Sequence, residues 1–108
     1  MRWQASTRSG TLYYPIWLAY ATALLEQRHS AVRLVDAPAW KWTQKEVISD
    51  ISSYSPELLV IETSYNSWRN DLNLIEPIKK SAPNLKIALV GPPTLEYCES
   101  LLMNRSVD

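Results

Sequence analysis

Two short apolar runs, each ending in a turn signal, constrain this chain more than anything else in it. Leu58-Leu59-Val60-Ile61 leads into Glu62-Thr63-Ser64, and Lys86-Ile87-Ala88-Leu89-Val90 leads into Gly91-Pro92-Pro93. Neither run alternates apolar with polar, as a strand with one wet face would. Near-continuous apolar character is the mark of parallel strands covered on both faces. In open parallel sheets, ligands sit outside the carboxyl ends of the strands. The residues that follow the two runs are therefore the first place to look for a site.

Helical periodicity fills the intervals. Pro15 suits the first turn of a helix, and Ile16, Ala19, Tyr20, Ala23, Leu24 and Gln27 recur at helical spacing. That face is expected to be buried. Ala31-Val32-Arg33-Leu34-Val35-Asp36 reads as a short strand stopped by Ala37-Pro38, because proline has no amide donor for the ladder. Thr43-Gln44-Lys45-Glu46 is a capping box, and a helix over residues 45–54 would bury Val47, Ile48 and Ile51. A helix over residues 68–80 would bury Leu72, Ile75 and Ile78, with Ser67 as its cap and a kink or early end at Pro77. Thr94 is placed to cap a last helix through Leu95, Cys98, Leu101 and Leu102.

The order is helix, strand, helix, strand, helix, strand, helix. Repeated strand–helix units with short connections predict an α/β fold with a parallel sheet and right-handed crossovers. At 108 residues the chain makes one domain (residues 1–108). An opening helix and a polar close suggest a domain truncated at one or both ends, a fragment of a longer protein. Residues 1–7 could form a weak first strand but lack the apolar run of a central one, and an incomplete sheet would leave edges through which two copies could form a homodimer.

Composition excludes several functions. Eleven basic residues balance eleven acidic ones with no basic run, so neither nucleic acid nor an acidic membrane is an expected partner. No apolar stretch approaches the roughly 18 residues of a membrane span, and no signal segment opens the chain. The expected location is the cytoplasm. The single cysteine, Cys98, forms no internal disulfide and no metal set. It reads as a small apolar residue on a helix face, and His29 as a cation at a helix end. Five Trp and six Tyr against no Phe favour rings with a polar handle, suited to a partner or a flat ligand. There is no glycine-rich phosphate loop, nucleophile elbow or histidine beside a nucleophile. Asp36 and Glu62 are too few for the acidic cluster of a response regulator. Without a glycine fingerprint, Asp36 is a solvated strand end or cap rather than a ribose ligand.

Three loops remain as the ligand edge: residues 9–14, 62–67 and 91–94. Taken in order, Thr11-Leu12-Tyr13-Tyr14-Pro15-Ile16-Trp17, Val32-Arg33-Leu34-Val35-Asp36-Ala37-Pro38, Val60-Ile61-Glu62-Thr63-Ser64 and Ile87-Ala88-Leu89-Val90-Gly91-Pro92 resemble one family. It is the N-terminal cobalamin (vitamin B12)-binding domain of the cobalamin-dependent radical SAM enzymes, among them relatives of the magnesium-protoporphyrin IX monomethyl ester oxidative cyclase. The resemblance spans residues 9–104. It implies a flavodoxin-like (Rossmann-like) three-layer αβα domain with cobalamin at the carboxyl edge of the sheet. Thr11, Tyr14 and Pro15 would face the corrin, Thr63 and Ser64 would line the pocket for the nucleotide tail, and Gly91 would admit that tail to the backbone. Pro92 and Trp17 would narrow that pocket.

No Asp-x-His-x-x-Gly loop is present, so no lower axial imidazole would come from this chain. The Cys-x-x-x-Cys-x-x-Cys loop for a 4Fe–4S cluster and S-adenosylmethionine is also absent, and would belong to a following radical SAM domain. The implied role is to position cobalamin for a methyl transfer or oxidative cyclisation carried out elsewhere. Two other readings stand beside it. One is a degenerate α/β scaffold or interaction module with edge loops filled by Trp17, Trp40 and Trp42. The other is a small independent enzyme, for which the chain offers no nucleophile or base.

Overall fold

A computed structural model describes residues 1–3, 14–28, 31–103 and 106–108. Strands β1 (Leu58–Glu62) and β2 (Lys86–Val90) pair in parallel, Leu58 opposite Lys86 through Glu62 opposite Val90. Helix α3 (Trp68–Ser81) makes the crossover between them. It carries Pro77 in its interior and runs on for four more residues, so the expected early end does not occur. Its buried face is Asp71, Leu74, Ile75 and Ile78. Leu72, expected inside, is only half-buried.

Helix α2 (Gln44–Tyr54) begins at the capping box as expected. The Thr43 amide donates to Glu46 Oε2 at 2.6 Å, and the Glu46 amide donates to Thr43 Oγ1 at 3.4 Å. Ser55 closes it in the left-handed region at φ 52°. Val47 and Ile51 point inward, and α2 packs on α3. Thr43→Ala removes the side-chain acceptor and is expected to cost about 1 kcal/mol, read as a shift in the urea midpoint.

The chain start, readable in the sequence only as a weak first strand, contributes one bridged position at Arg2. Arg2 makes single parallel bridges to Asp36 on one side and Glu62 on the other. The Arg2 amide donates to the Val35 carbonyl at 3.1 Å, and the Ala37 amide to the Arg2 carbonyl at 3.1 Å. On the other side, the Glu62 amide donates to the Met1 carbonyl at 2.9 Å. The spatial order is thus Asp36, Arg2, β1, β2, all parallel. Residues 31–35, expected to be a strand, form no ladder; only Asp36 is bridged.

Beneath these strands lies a single cluster built from Met1, Ala37, Val47, Ile51, Leu59, Ile61, Leu74, Ile75, Ile78, Leu85 and Ile87. Each fully buried isoleucine contributes roughly 2 kcal/mol of apolar transfer free energy. Helix α1 (Ile16–Gln27) takes little part: Leu18 is its one buried residue. Trp17 is 74% exposed, Tyr20 60% and Leu24 62%, which reverses the expected burial of the Ile16, Tyr20, Leu24 face. The last helix is broken at Tyr97 into α4 (Pro93–Glu96) and α5 (Cys98–Leu102). Thr94 lies inside α4, and its hydroxyl donates to the Gly91 carbonyl at 2.7 Å. After the break only Leu101 of the expected face is buried; Leu95, Cys98 and Leu102 are exposed.

Candidate functional site

Where the parallel strands end, β1 and β2 remain joined for one further bond: the Thr63 amide donates to the Val90 carbonyl at 2.8 Å. Gly91 follows at φ +127°, and a Cβ placed on it would lie 2.1 Å from the Thr63 carbonyl oxygen. No side chain fits there. The neighbour that demands glycine is the adjoining strand, so the close approach expected for a ligand tail is already taken by backbone.

Thr63 is committed in the same way. It is buried, and its hydroxyl donates to Asp71 Oδ2 at 2.6 Å. Ser67, at the N-cap of α3, makes no capping bond; its hydroxyl donates to the same Asp71 oxygen at 2.8 Å. The Ser64 amide donates to Ser67 Oγ at 3.1 Å, and the two serine hydroxyls lie 3.0 Å apart. Three hydroxyls and one carboxyl thus tie the end of β1 to the first turn of α3. Asp71 is 0% exposed, and its Oδ1 has no hydrogen-bond partner. Burial pushes its pKa above the ordinary aspartate value, against the two hydroxyl donors.

That shift has a stability consequence of definite sign. A folded-state pKa raised above the unfolded value near ~3.9 means that the native state holds the Asp71 proton more tightly. The contribution is therefore fully present below the unfolded pKa and is lost as pH rises through the folded one. Asp71→Asn removes this dependence. Urea unfolding at a series of pH values between about 4 and 7 is expected to show wild-type stability falling relative to the variant as pH rises.

The expected residues separate into two groups. Thr63, Ser64, Gly91 and Pro92 meet at this edge, with Pro92 exposed at the N-cap of α4. Pro15 is buried at the N-cap of α1, Tyr14 is exposed beside it, and Thr11 lies outside the described residues, as does His29. Trp17 and Trp40 are exposed, so neither fills an edge loop; Trp42 is half-buried against the core.

Sequence reading missed an aromatic group on the same edge. Trp68, the first residue of α3, stacks on Tyr97 between α4 and α5, with ring centroids 5.3 Å apart and planes 17° from parallel. The Arg69 guanidinium lies 4.9 Å from the Trp68 ring centre. Glu96 accepts hydrogen bonds from Tyr65 and Tyr97, which holds both phenols above their ordinary pKa. These residues are up to 32 positions apart, and only the surplus of Trp and Tyr hinted at them.

Asp36 is not a solvated strand end. Arg2 holds it with Nη2 2.7 Å from Oδ2 and Nε 2.9 Å from Oδ1, and both side chains are mostly buried. Glu62 lies across Arg2 from it, with Oε2 buried and lacking a hydrogen-bond partner. At the opposite end of the sheet a cavity of about 660 Å³ opens between α1, segment 31–35 and the start of β1. Among the described residues no group of three or more His, Cys, Asp or Glu is placed to hold a metal ion, and no helix is long and apolar enough to cross a membrane. Comparison of the chain with family models, with curated proteins and with solved structures gives no match.

Proposed function

We propose that this chain is a cobalamin-binding module of the radical SAM type, flavodoxin-like in its strand order, that takes the cofactor at the carboxyl edge. The observation that carries the reading is the position of Arg2 between Asp36 and Glu62. Chain order reverses there: the segment bridged on one side of Arg2 follows it directly, and β1 on the other side comes later. Such a switch point opens a crevice outside the carboxyl ends of the strands, where open α/β sheets bind their ligands.

Thr63 and Gly91 build this edge rather than touch a ligand. The groups left to meet one are Ser64, Pro92 and the Trp68–Tyr97 pair, whose stacked rings suit a flat molecule. When bound, cobalamin supplies methyl-transfer or redox chemistry. The protein's part is to hold and orient it, with a 4Fe–4S cluster and S-adenosylmethionine in a further radical SAM domain. The scaffold reading has one observation in its favour: Gly91 already meets the Thr63 carbonyl, which fills the predicted tail approach.

Mixing the chain with hydroxocobalamin, followed by gel filtration and visible spectroscopy, separates the two. Cobalamin absorbance is expected to travel with the protein. Tyr97→Ala is expected to weaken binding about tenfold, a loss of roughly 1.4 kcal/mol. A colourless protein peak would support the scaffold instead.

A further inference from the structure

The cavity at the amino end of the sheet has the walls of a missing strand. Residues 31–35 line one side, residues 58–60 of β1 line the other, and Met1 closes the end. Leu18 and Leu25 of α1 and Ile51 of α2 complete an apolar lining. Immediately beyond Met1 the same two walls are bridged by a single chain: Arg2 pairs in parallel with Asp36 and with Glu62. Those bridges set the walls about 9.6 Å apart, two strand spacings. Among the described residues, no backbone–backbone hydrogen bond joins residues 31–34 to another segment. Unpaired backbone beside an apolar trough is a template for strand addition.

We propose that this cavity is a strand slot: it takes an extended apolar peptide, parallel to β1, whose carboxyl end abuts Met1 and whose backbone pairs with both residues 31–35 and residues 58–60. The length follows from the wall, roughly five residues at ~3.3 Å each. The chemistry follows from the lining. Alternate side chains meet α1 and α2, so the occupant is apolar on both faces. Arg33 and Asp50, which also line the cavity, neutralise each other at 2.5 Å, and Glu57, the other acidic residue of the lining, is exposed. The slot lies at the opposite end of the sheet from the proposed cofactor edge and does not depend on it.

The test places Val-Ile-Val-Ile-Val before Met1 and compares it with a Gly-Ser-Gly-Ser-Gly extension, reading amide hydrogen exchange and sedimentation. The apolar extension is expected to slow exchange at residues 33 and 35, whose amides continue the side on which Ala37 bonds Arg2, at least about tenfold while the protein sediments as a monomer. Equal exchange in the two extended proteins overturns the slot. Protection that appears only in a dimer puts a second copy's strand there and overturns the peptide occupant. As a second arm, the free peptide acetyl-Lys-Val-Ile-Val-Ile-Val-amide, added to the unextended chain, is expected to protect the same amides; no protection by peptide or by extension ends the proposal.

Discussion

Gly91→Ala is expected to cost about 4 kcal/mol, enough to unfold a marginal domain, and Gly91→Val more. Two terms add. A non-glycine residue at φ +127° carries strain of roughly 1–3 kcal/mol. The new Cβ, 2.1 Å from the Thr63 carbonyl oxygen, forces apart the segments that follow β1 and β2, a packing penalty of another 1–3 kcal/mol. Backbone cannot swing aside as the tip of a side chain can. Equilibrium urea denaturation checks the figure, and a midpoint for Gly91→Ala equal to wild type would show that this corner yields freely. Because the fold itself is at stake, Gly91 is a poor probe of cofactor binding. Ser64 and Tyr97 are better ones.

Arg2→Ala is the second large effect, expected to lose about 3 kcal/mol, within the range for breaking a buried pair from one side. It leaves the mostly buried Asp36 carboxylate without its guanidinium, with a second carboxylate, Glu62, on the far side of the same backbone position. The double variant Arg2→Ala, Asp36→Asn relieves part of that charge and is expected to recover at least about 1 kcal/mol in a mutant cycle. A loss below about 0.5 kcal/mol for Arg2→Ala alone would mean that Arg2 does not hold the centre of the sheet.

Local signals were legible in the sequence, and long-range pairing was not. Both strands appear within one residue of their expected limits, because four apolar residues in a row that end at a turn signal have few alternatives. The Thr43 and Glu46 box could be read from spacing alone. Arg2 could not: a strand position held by two single bridges needs no apolar run. The periodicity of α1 was read correctly as a helix, but the pattern cannot say whether a surface exists to cover its face. Asp71 carries no signal of burial in the sequence. Its burial follows from Thr63 and Ser67, which supply hydroxyls from the turn before the helix. The stack of Trp68 on Tyr97 depends on the break between α4 and α5, where a continuous helix was expected.

The outer rim of β2 carries one more implication. The Ile87 amide donates to Asp108 Oδ2 at 2.9 Å, and the Ile87 carbonyl accepts from the Asp108 amide at 2.9 Å. Lys79 approaches the same carboxylate at 2.5 Å and Lys86 at 3.2 Å. Those cations and the Ile87 amide hold the Asp108 carboxyl well below its usual range. Any chain seeking to extend the sheet at Ile87 must displace a carboxylate bonded to the strand and flanked by two lysines. The middle of this border therefore acts as a gatekeeper against fibril growth, and screening those charges with salt is the condition under which aggregation from this side would begin.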